Sequence, residues 1–463
     1  MANTSISSLL NSLANGRSLG FSVVNHGCKV NKVEADTFAA FLSAHGAHLA
    51  NGDEAQLVIV NTCTVTGEAD RKARKAVRHA LKESPDALVV VTGCGTAINP
   101  EAYDRIDERV QVIDRSELLV ILQEGRETPL RMGEGFRTRV NLKSQDGCDR
   151  ACTYCIVHVA RGKAQSTDSA QVLAEAEAYL KRGVKEIVLT GIDLGSYRCG
   201  DYDLAKLVKD LIAIADSSIV PDAAGYPLAS VQPARIRASS LEPMSVTPQF
   251  VDLLARSEGR VCRHLHLPLQ SGSSKVLHEM ARPYTAEEYA SLVSSLYERI
   301  PSLSLTTDII VGFPGETDDD FSQTMELART CRFSKIHVFP YSKRAGTPAA
   351  IRPDQVSPEI IRKRAAQLRA LSEDLREQDL AKRRGREELA IVEGRFALTE
   401  SYHEIPIPRG VPEGMLVPIV NGCLVNEGSL SGRHVSTSEA EVDSRIEHVY
   451  SPETSWAEPL LDR

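Results

Sequence analysis

No apolar run in this chain approaches the roughly 18 consecutive residues that a helix needs to cross a bilayer, so no membrane partner is expected. The N-terminus, MANTSISSLLNSLANGRS, lacks a basic region ahead of its short apolar patch and has no clear cleavage site. It therefore reads as a soluble, flexible extension over residues 1–17 rather than an export signal. Cysteine is too sparse for a disulfide scaffold, at ten in 463 residues. Without an export signal, these thiols read as metal ligands or reactive groups in a reducing cytoplasm, which makes a cytoplasmic location the expectation. There is no internal repeat and no low-complexity tract. Nor is there an excess of positive charge. The net charge of −8 argues against chain-wide affinity for nucleic acid but leaves room for a local basic face.

What is present is ordinary globular material, 42% hydrophobic and 25% charged, in a length suited to about two to four domains. Residues 18–130 alternate short apolar strands with helical stretches, the pattern of a doubly wound α/β domain. Three of its strands run out onto a cysteine: GFSVVNHGC ends at Cys28, LVIVNTC at Cys63, and LVVVTGC at Cys94. Ligands bind where strands end in an open parallel sheet, so these thiols can converge on one point. Any one of them alone would read as a small buried hydrophobe.

The glycines of MGEGFR, around residue 132, mark a linker. A second α/β unit follows over 138–375. Its candidate strands are 139–145, 186–190, 235–239, 262–269, 305–312 and 334–340. Intervening amphipathic helices include 168–182 and one that begins at Thr317, where Thr317 and Asp320 have capping-box spacing. Right-handed crossovers between six such strands give a partial (β/α)6 barrel. A charged helix over roughly 356–384 leads to glycine-punctuated short strands, read as a small all-β barrel over 386–449 with a tail at 450–463. The fold class is thus α/β throughout, with an all-β end.

The strongest motif is GCDRACTYCIV, in which Cys148, Cys152 and Cys155 form CxxxCxxC directly after the first barrel strand. Three thiolates so close can hold three corners of an iron–sulfur cube and leave one iron open. His158 offers a fourth ligand, so a closed zinc site is the alternative. CxxxCxxC with Tyr154 before the last thiol resembles the radical S-adenosylmethionine superfamily. The resemblance implies a 4Fe-4S cluster whose open iron chelates S-adenosyl-L-methionine for reductive cleavage to a 5′-deoxyadenosyl radical. The other strand ends then become cofactor contacts beside Tyr154. Thr190 and Gly191 leave backbone bare near the amino end, Ser239, Ser240 and Glu242 face sugar hydroxyls or charge, and Gly312 and Gly315 let an adenine approach.

Taken together, HGCKVN, VNTCTVT, VTGC, LHLPLQSGS, DIIVGFPGET and HVFPYSKRAGTPAA resemble the methylthiotransferases. Within that family they resemble the bacterial branch acting on N6-threonylcarbamoyladenosine in tRNA. The resemblance spans residues 20 to about 430. It implies a second 4Fe-4S cluster on Cys28, Cys63 and Cys94, and transfer of a methylthio group to carbon 2 of the adenine at position 37, beside the anticodon. It also implies two S-adenosylmethionine molecules with different fates, a tRNA anticodon loop as partner, an electron donor such as flavodoxin or ferredoxin, and a sulfur source. The sequence departs from the family pattern at His158, where proline is frequent, and at Gly95, where an aromatic is frequent. Candidate phosphate contacts are Arg71, Lys72, Arg74, Lys75 and Arg78 on one helix, and Lys382, Arg383, Arg384 and Arg386 before the β barrel. Each segment reads equally well as a solvated helix face. Cys199, Cys262, Cys331 and Cys423 match no cluster motif and read as packing residues.

Two other readings compete. One is methylthiolation of N6-isopentenyladenosine or of a ribosomal-protein aspartate, within the same family. The other is an electron carrier or RNA-binding iron–sulfur protein, which fails to explain two separate sites of three cysteines each.

Overall fold

The structure, a computed structural model, describes residues 5–124, 129–131, 138–218, 233–408, 410–420 and 423–424. The expected linker at MGEGFR, most of the second half of the β barrel and the tail lie outside the described residues.

The chain opens with α1 (Ile6–Ala14), where a flexible extension was expected. Ile6, Leu9, Leu10 and Leu13 recur at helical spacing, and Ser5 with Ser8 forms a capping box at the start. Ile6 and Leu10 are buried against the first sheet, which stabilises the docked helix by about 1.5–3 kcal/mol per side chain. Then come β1 (Gly20–Asn25), α2 (Lys29–Ala44), β2 (His48–Leu49), β3 (Leu57–Thr62) and α3 (Gly67–Glu83). They are followed by β4 (Leu88–Gly93), α4 (Cys94–Ile98), α5 (Glu101–Asp104), β5 (Val110–Val112) and α6 (Arg115–Gln123). The five strands are all parallel, in the order β2-β1-β3-β4-β5. Their apolar runs are continuous because both faces are covered. Leu57, Ile59 and Val90 meet α1, α2 and α6 on one side, while Val58, Val60 and Val89 meet α3 on the other. This is the doubly wound domain that the alternation predicts.

The second unit contains β6 (Arg139–Lys143), β7 (Gln145–Asp146), α7 (Val157–Arg161), β8 (Gln165–Ser166), α8 (Ser169–Leu180), β9 (Glu186–Thr190), β10 (Arg198–Cys199), β11 (Tyr202–Asp203) and α9 (Leu204–Ser217). It continues through β12 (Arg235–Ala238), α10 (Pro248–Arg256), β13 (His264–His266), α11 (Ser274–Glu279), α12 (Ala286–Arg299), β14 (Ser304–Val311), α13 (Asp318–Cys331), β15 (Lys335–Pro340) and α14 (Pro358–Lys382). Two three-stranded parallel sheets, β12-β9-β6 and β13-β14-β15, meet through bridges Ile236↔Val261 and Ser240↔His266. All six expected strands are present, and they curve into the partial barrel. Thr317 and Asp320 form the expected capping box of α13. The short pairs β7-β8 and β10-β11 are antiparallel additions.

An antiparallel sheet closes the chain, with β16 (Glu387–Glu393), β17 (Phe396–Thr399), β18 (Glu404–Pro406), β19 (Leu416–Val420) and β20 (Cys423–Leu424) in the order β18-β17-β16-β19-β20. It is fastened to the base of the barrel by buried charge. Glu186 at the start of β9 is fully buried and pairs with Arg235 and Arg237 on β12. Those arginines donate onward to the carbonyls of Leu389, Leu398, Thr399 and Glu400. Burial alone would raise Glu186, but the arginines around it hold it far below the usual carboxylate range. Arg383, read from sequence as a phosphate contact, belongs to this junction instead. It is largely buried, with Asp379 at 2.7 Å and Glu388 at 2.7 Å.

Replacing Glu186 by Gln leaves two buried guanidinium groups without their counter-charge, at a cost of about 3–5 kcal/mol. Hydrogen exchange is expected to speed up in β16 and β17 while the β1–β5 sheet keeps its protection.

Candidate cluster-binding site

Three thiols gather at the carboxyl end of the N-terminal sheet. Thr62 and Gly93 pair across β3 and β4, so Cys63 and Cys94 leave strands about 4.8 Å apart. Cys28 follows β1 at the start of α2. The strand order reverses at β1, and such switch points are where this architecture binds ligands. Gly93 sits at φ 100°, and a Cβ there would lie 2.4 Å from Asn61 Oδ1. Glycine alone lets β4 turn directly into α4. Two asparagines hold the strand ends together. Asn31 Nδ2 donates to Asn61 Oδ1 (3.2 Å) and Thr62 O (3.1 Å), and Asn61 Nδ2 donates back to Asn31 O (2.8 Å). Burial pushes the Cys63 thiol up to about 12, and the nearby Cys28 and Cys94 push the same way. Burial also raises Cys94. At Gly95 a Cβ would lie 2.5 Å from the Tyr103 hydroxyl. Tyr103, from α5, fills the place an aromatic next to Cys94 would occupy.

The second trio, Cys148, Cys152 and Cys155, lies on the loop between β7 and α7. That loop is pinned at Thr153, whose N donates to Met280 O (3.1 Å), whose Oγ1 donates to Glu279 O (2.8 Å), and whose carbonyl accepts from Ala349 N (2.9 Å). Tyr154 packs against Val276, Met280 and Phe313. Arg282 Nη1 lies 3.2 Å from Cys152 Sγ, and its Nη2 holds both oxygens of Glu242 at 2.5 Å. Arg150 pairs with Asp193 at 3.3 Å on the other side. Burial pushes Cys148 up to about 11 and raises Cys155. Asp193 Oδ1 and Ser239 Oγ are buried without a hydrogen-bond partner, polar atoms still open to a ligand.

One side chain from the helix after the second trio reaches the first. Arg161, at the end of α7, places Nε 3.1 Å from Cys94 Sγ. Its other nitrogens bond Glu34 Oε1 (2.9 Å), Asp146 Oδ1 (2.9 Å) and Asn31 Oδ1 (3.1 Å). A second clamp is Arg344, which pairs with Asp70 at 2.5 Å and also bonds Thr64, one residue past Cys63.

The strand-end residues read as cofactor contacts have neighbours of their own. The space beside Gly191 is held by Gln145, whose Oε1 would be 2.8 Å from a Cβ. At Gly312 a Cβ would strike Ile361 of α14 at 2.3 Å, and at Gly315 it would meet Arg352 at 2.5 Å and Asp354 at 2.6 Å. At both positions the chain's own packing requires glycine. Thr190 is buried with its hydroxyl on Val188 O. Glu242 faces Arg282 rather than an open sugar site, and Ser240 is half-buried beside β13. Arg161, Arg282, Glu34 and Arg344 were missed. Their only signal in sequence is position, with Arg161 close behind the CxxxCxxC motif and Arg344 inside HVFPYSKRAGTPAA. Cys262 and Cys331 are buried packing residues as expected, and Cys199 packs partly against the barrel core. His158 Nδ1 is buried without a hydrogen-bond partner.

The radical SAM superfamily model matches residues 142–328, and the model described as uncharacterized protein family UPF0004 matches residues 21–114. The chain is 37% identical, over 75% of its length and 79% of the relative's, to threonylcarbamoyladenosine tRNA methylthiotransferase MtaB of Bacillus subtilis. The chain belongs to the radical SAM methylthiotransferase family. It is 33% identical to a tRNA-2-methylthio-N(6)-dimethylallyladenosine synthase of Carboxydothermus hydrogenoformans, over 75% of the chain and 81% of that relative. Among solved structures, the radical S-adenosylmethionine methyltransferase TsrM of Kitasatospora setae, with cobalamin and a 4Fe-4S cluster bound, superposes with a TM-score of 0.51. That match has 17% identity and covers 72% of this chain and 77% of that one, a likeness of fold. Membership of the radical SAM methylthiotransferases implies one 4Fe-4S cluster and S-adenosylmethionine, and the CxxxCxxC loop supplies the matching donor set.

Thiolate, not thiol, is the nucleophile. Metal-free protein treated with iodoacetamide at pH 8 is expected to be alkylated at exposed Cys28 and spared at Cys63, whose pKa burial lifts to about 12. Peptide mass spectrometry reads the difference. Equal labelling of both would contradict the burial of Cys63.

Proposed function

We propose that the protein is a tRNA methylthiotransferase that converts N6-threonylcarbamoyladenosine at position 37 to its 2-methylthio derivative. The observation that carries this reading is the presence of two three-cysteine sites in one chain, in two domains that Arg161 ties together beside Cys94. Relatives at 31–37% identity named for this reaction support the substrate. Relatives named for dimethylallyladenosine reach 32–33%, so identity alone separates the two substrates poorly.

In this reading Cys148, Cys152 and Cys155 hold the cluster that S-adenosylmethionine binds, and Cys28, Cys63 and Cys94 hold a second 4Fe-4S cluster. When bound, these groups supply radical generation and a transferable sulfur. The chain's own residues shape the charge around them. Arg282 and Arg161 donate to cluster thiolates, as outer partners of metal ligands do. Asp193 and Ser239 present free polar atoms to the cofactor. An external electron donor of the flavodoxin or ferredoxin type and a sulfur source complete the reaction. A base beside the anticodon lies in a loop, from which it can be splayed into a site. Phosphates are then held by α3, where Arg71, Lys75 and Arg78 are exposed and Lys72 and Arg74 half-exposed. Lys382, Arg384 and Arg386 form a second exposed group. The reaction and its tRNA place the protein in the cytoplasm.

Nucleosides from a strain lacking the gene are expected to lose 2-methylthio-N6-threonylcarbamoyladenosine and accumulate the unmethylthiolated form in mass spectrometry. In vitro, alanine at Cys28, Cys63 and Cys94 should halve an iron content of about eight per chain and stop methylthiolation while reductive cleavage of S-adenosylmethionine persists. Wild-type product from that variant would sink the role of the second trio.

Charge reversal at Arg71, Lys75 and Arg78 should weaken tRNA binding and flatten the log–log salt slope by close to one unit per lost phosphate contact. An unchanged slope would return α3 to the status of a solvated face.

A further inference from the structure

Three neighbouring parallel strands point a polar group each into the barrel interior. They are His266 on β13, Asp308 on β14 and His337 on β15, with potential ligating atoms all within 4.8 Å of one another. Along β14, Leu305 and Ile309 face the helices in the core while Asp308 faces inward, as strand alternation requires. His266 Nε2 lies 3.2 Å from Asp308 Oδ1, and its Nδ1 lies 2.9 Å from Thr306 Oγ1. The side chains of His266 and Asp308 keep 17% and 27% exposure, so the group opens onto the lumen rather than being sealed in core.

The arrangement has the residue types of a metal site, and the surrounding charge decides against one. Tyr402 stacks on His264 at 4.6 Å below the group. Lys29 Nζ lies 5.7 Å from that ring and the Arg237 guanidinium 5.2 Å. Lys29, burial, Arg139, Arg237 and Lys335 all act on the phenol, and the cations win, holding its pKa below the ordinary value. Among the described residues Lys29 forms no ion pair, so its charge is available to the lumen. Burial pushes His337 down to about 4, which keeps its ring neutral. Arg237 and Arg139 are balanced by Glu186 and Glu393, so the unbalanced charge is that of Lys29, which attracts a carboxylate. Asp308 meets His266 through Oδ1 and, as a carboxylate, keeps further acceptor sites that a hydroxyl can fill. An apolar arm here would leave Asp308 and the histidines desolvated with no new partner.

We propose that His266, Asp308 and His337, with Lys29 at the mouth beside Cys28, form the subsite that reads the N6 arm of the target adenosine, taking its carboxylate on Lys29 and His337 and its hydroxyl on Asp308. This rests on the tRNA reading above and deepens it. An N6 arm carrying both a carboxylate and a hydroxyl fits the subsite, and a dimethylallyl arm does not.

The test uses the reconstituted full-length enzyme and tRNA carrying either N6-threonylcarbamoyladenosine or N6-glycinylcarbamoyladenosine, which keeps the carboxylate and lacks the hydroxyl. Wild type is measured first. If it methylthiolates dimethylallyl-tRNA and neither carbamoyl substrate, the functional reading itself fails. If it acts on the threonylcarbamoyl substrate, Asp308→Asn should lower kcat/KM on that substrate at least roughly tenfold and leave the glycinylcarbamoyl substrate within about twofold, because only the first offers the hydroxyl. His337→Phe should lower both substrates, and His337→Gln, which keeps a donor, should recover part of that loss. Equal losses on both substrates for Asp308→Asn would show a merely structural role and overturn the proposal. So would one equivalent of zinc or iron, beyond the clusters, that disappears with His337→Phe. If Asp308→Asn fails to fold, the ratio of the two substrates in His337→Gln carries the same decision. Under the proposal both fall by a similar factor, and a loss confined to the threonyl arm overturns the assignment of His337 to the carboxylate.

Discussion

Arg161 is the buried contact that ties the N-terminal domain to the barrel. A single buried guanidinium reaches a thiol and a carboxylate of the N-terminal domain, Cys94 and Glu34, and a carboxylate of the barrel, Asp146. Burying an arginine is costly unless its donors are all met. Here the partners come from both domains, so the geometry is satisfied only when they sit in one relative position. Burial alone would raise Asp146, but Lys143 and Arg161 hold it ionised. The loop after β15 adds a second constraint. Arg344 grips Thr64 and Asp70 behind Cys63, while Ala349 five residues on bonds the carbonyl of Thr153 between Cys152 and Cys155. One loop thereby fixes a cysteine-bearing segment of each domain.

The barrel interior is organised by charge in layers. At the carboxyl ends of the strands, thiols stand beside guanidinium groups, and a bound cluster would bring negative charge to meet them. At mid-depth the strands carry histidines and one aspartate. At the base, Glu186 and its arginines are consumed in holding the C-terminal sheet. The C-terminal sheet is therefore more than an appended module. Tyr402, from the turn after β17, stacks on His264 and makes part of the floor of the interior. Through Tyr402 and Arg237 that sheet is packed directly onto the barrel interior.

The elements were legible where a local pattern determines them. β9 runs over the expected residues 186–190, and Thr317 caps α13 as its spacing with Asp320 requires. The six cysteines stood out because three strands end on thiols and because CxxxCxxC is specific. The N-terminal helix carried its own signal in Ile6, Leu10 and Leu13. It was misread because an apolar stripe of two turns gains stability only from the sheet it docks on. The glycines at 312 and 315 were read toward a ligand, since a bare backbone looks the same in sequence whether Ile361 or an adenine fills the space beside it.

The sequence by itself determined the order of strands and helices, the six cysteines that stand in two trios and the family. The first rests on periodicity, the second on strand ends and the CxxxCxxC spacing, and the third on strings that resemble the methylthiotransferases. Only the tertiary structure decided which arginines face those thiols, that Arg383 is spent on Asp379 and Glu388, and that His266, Asp308 and His337 share one lumen. Arg161 lies 67 residues from Cys94 and 127 from Glu34. No local pattern encodes a contact between side chains that far apart. It follows from how parallel strands stack side by side, and from the need of a buried charge for partners wherever the fold supplies them.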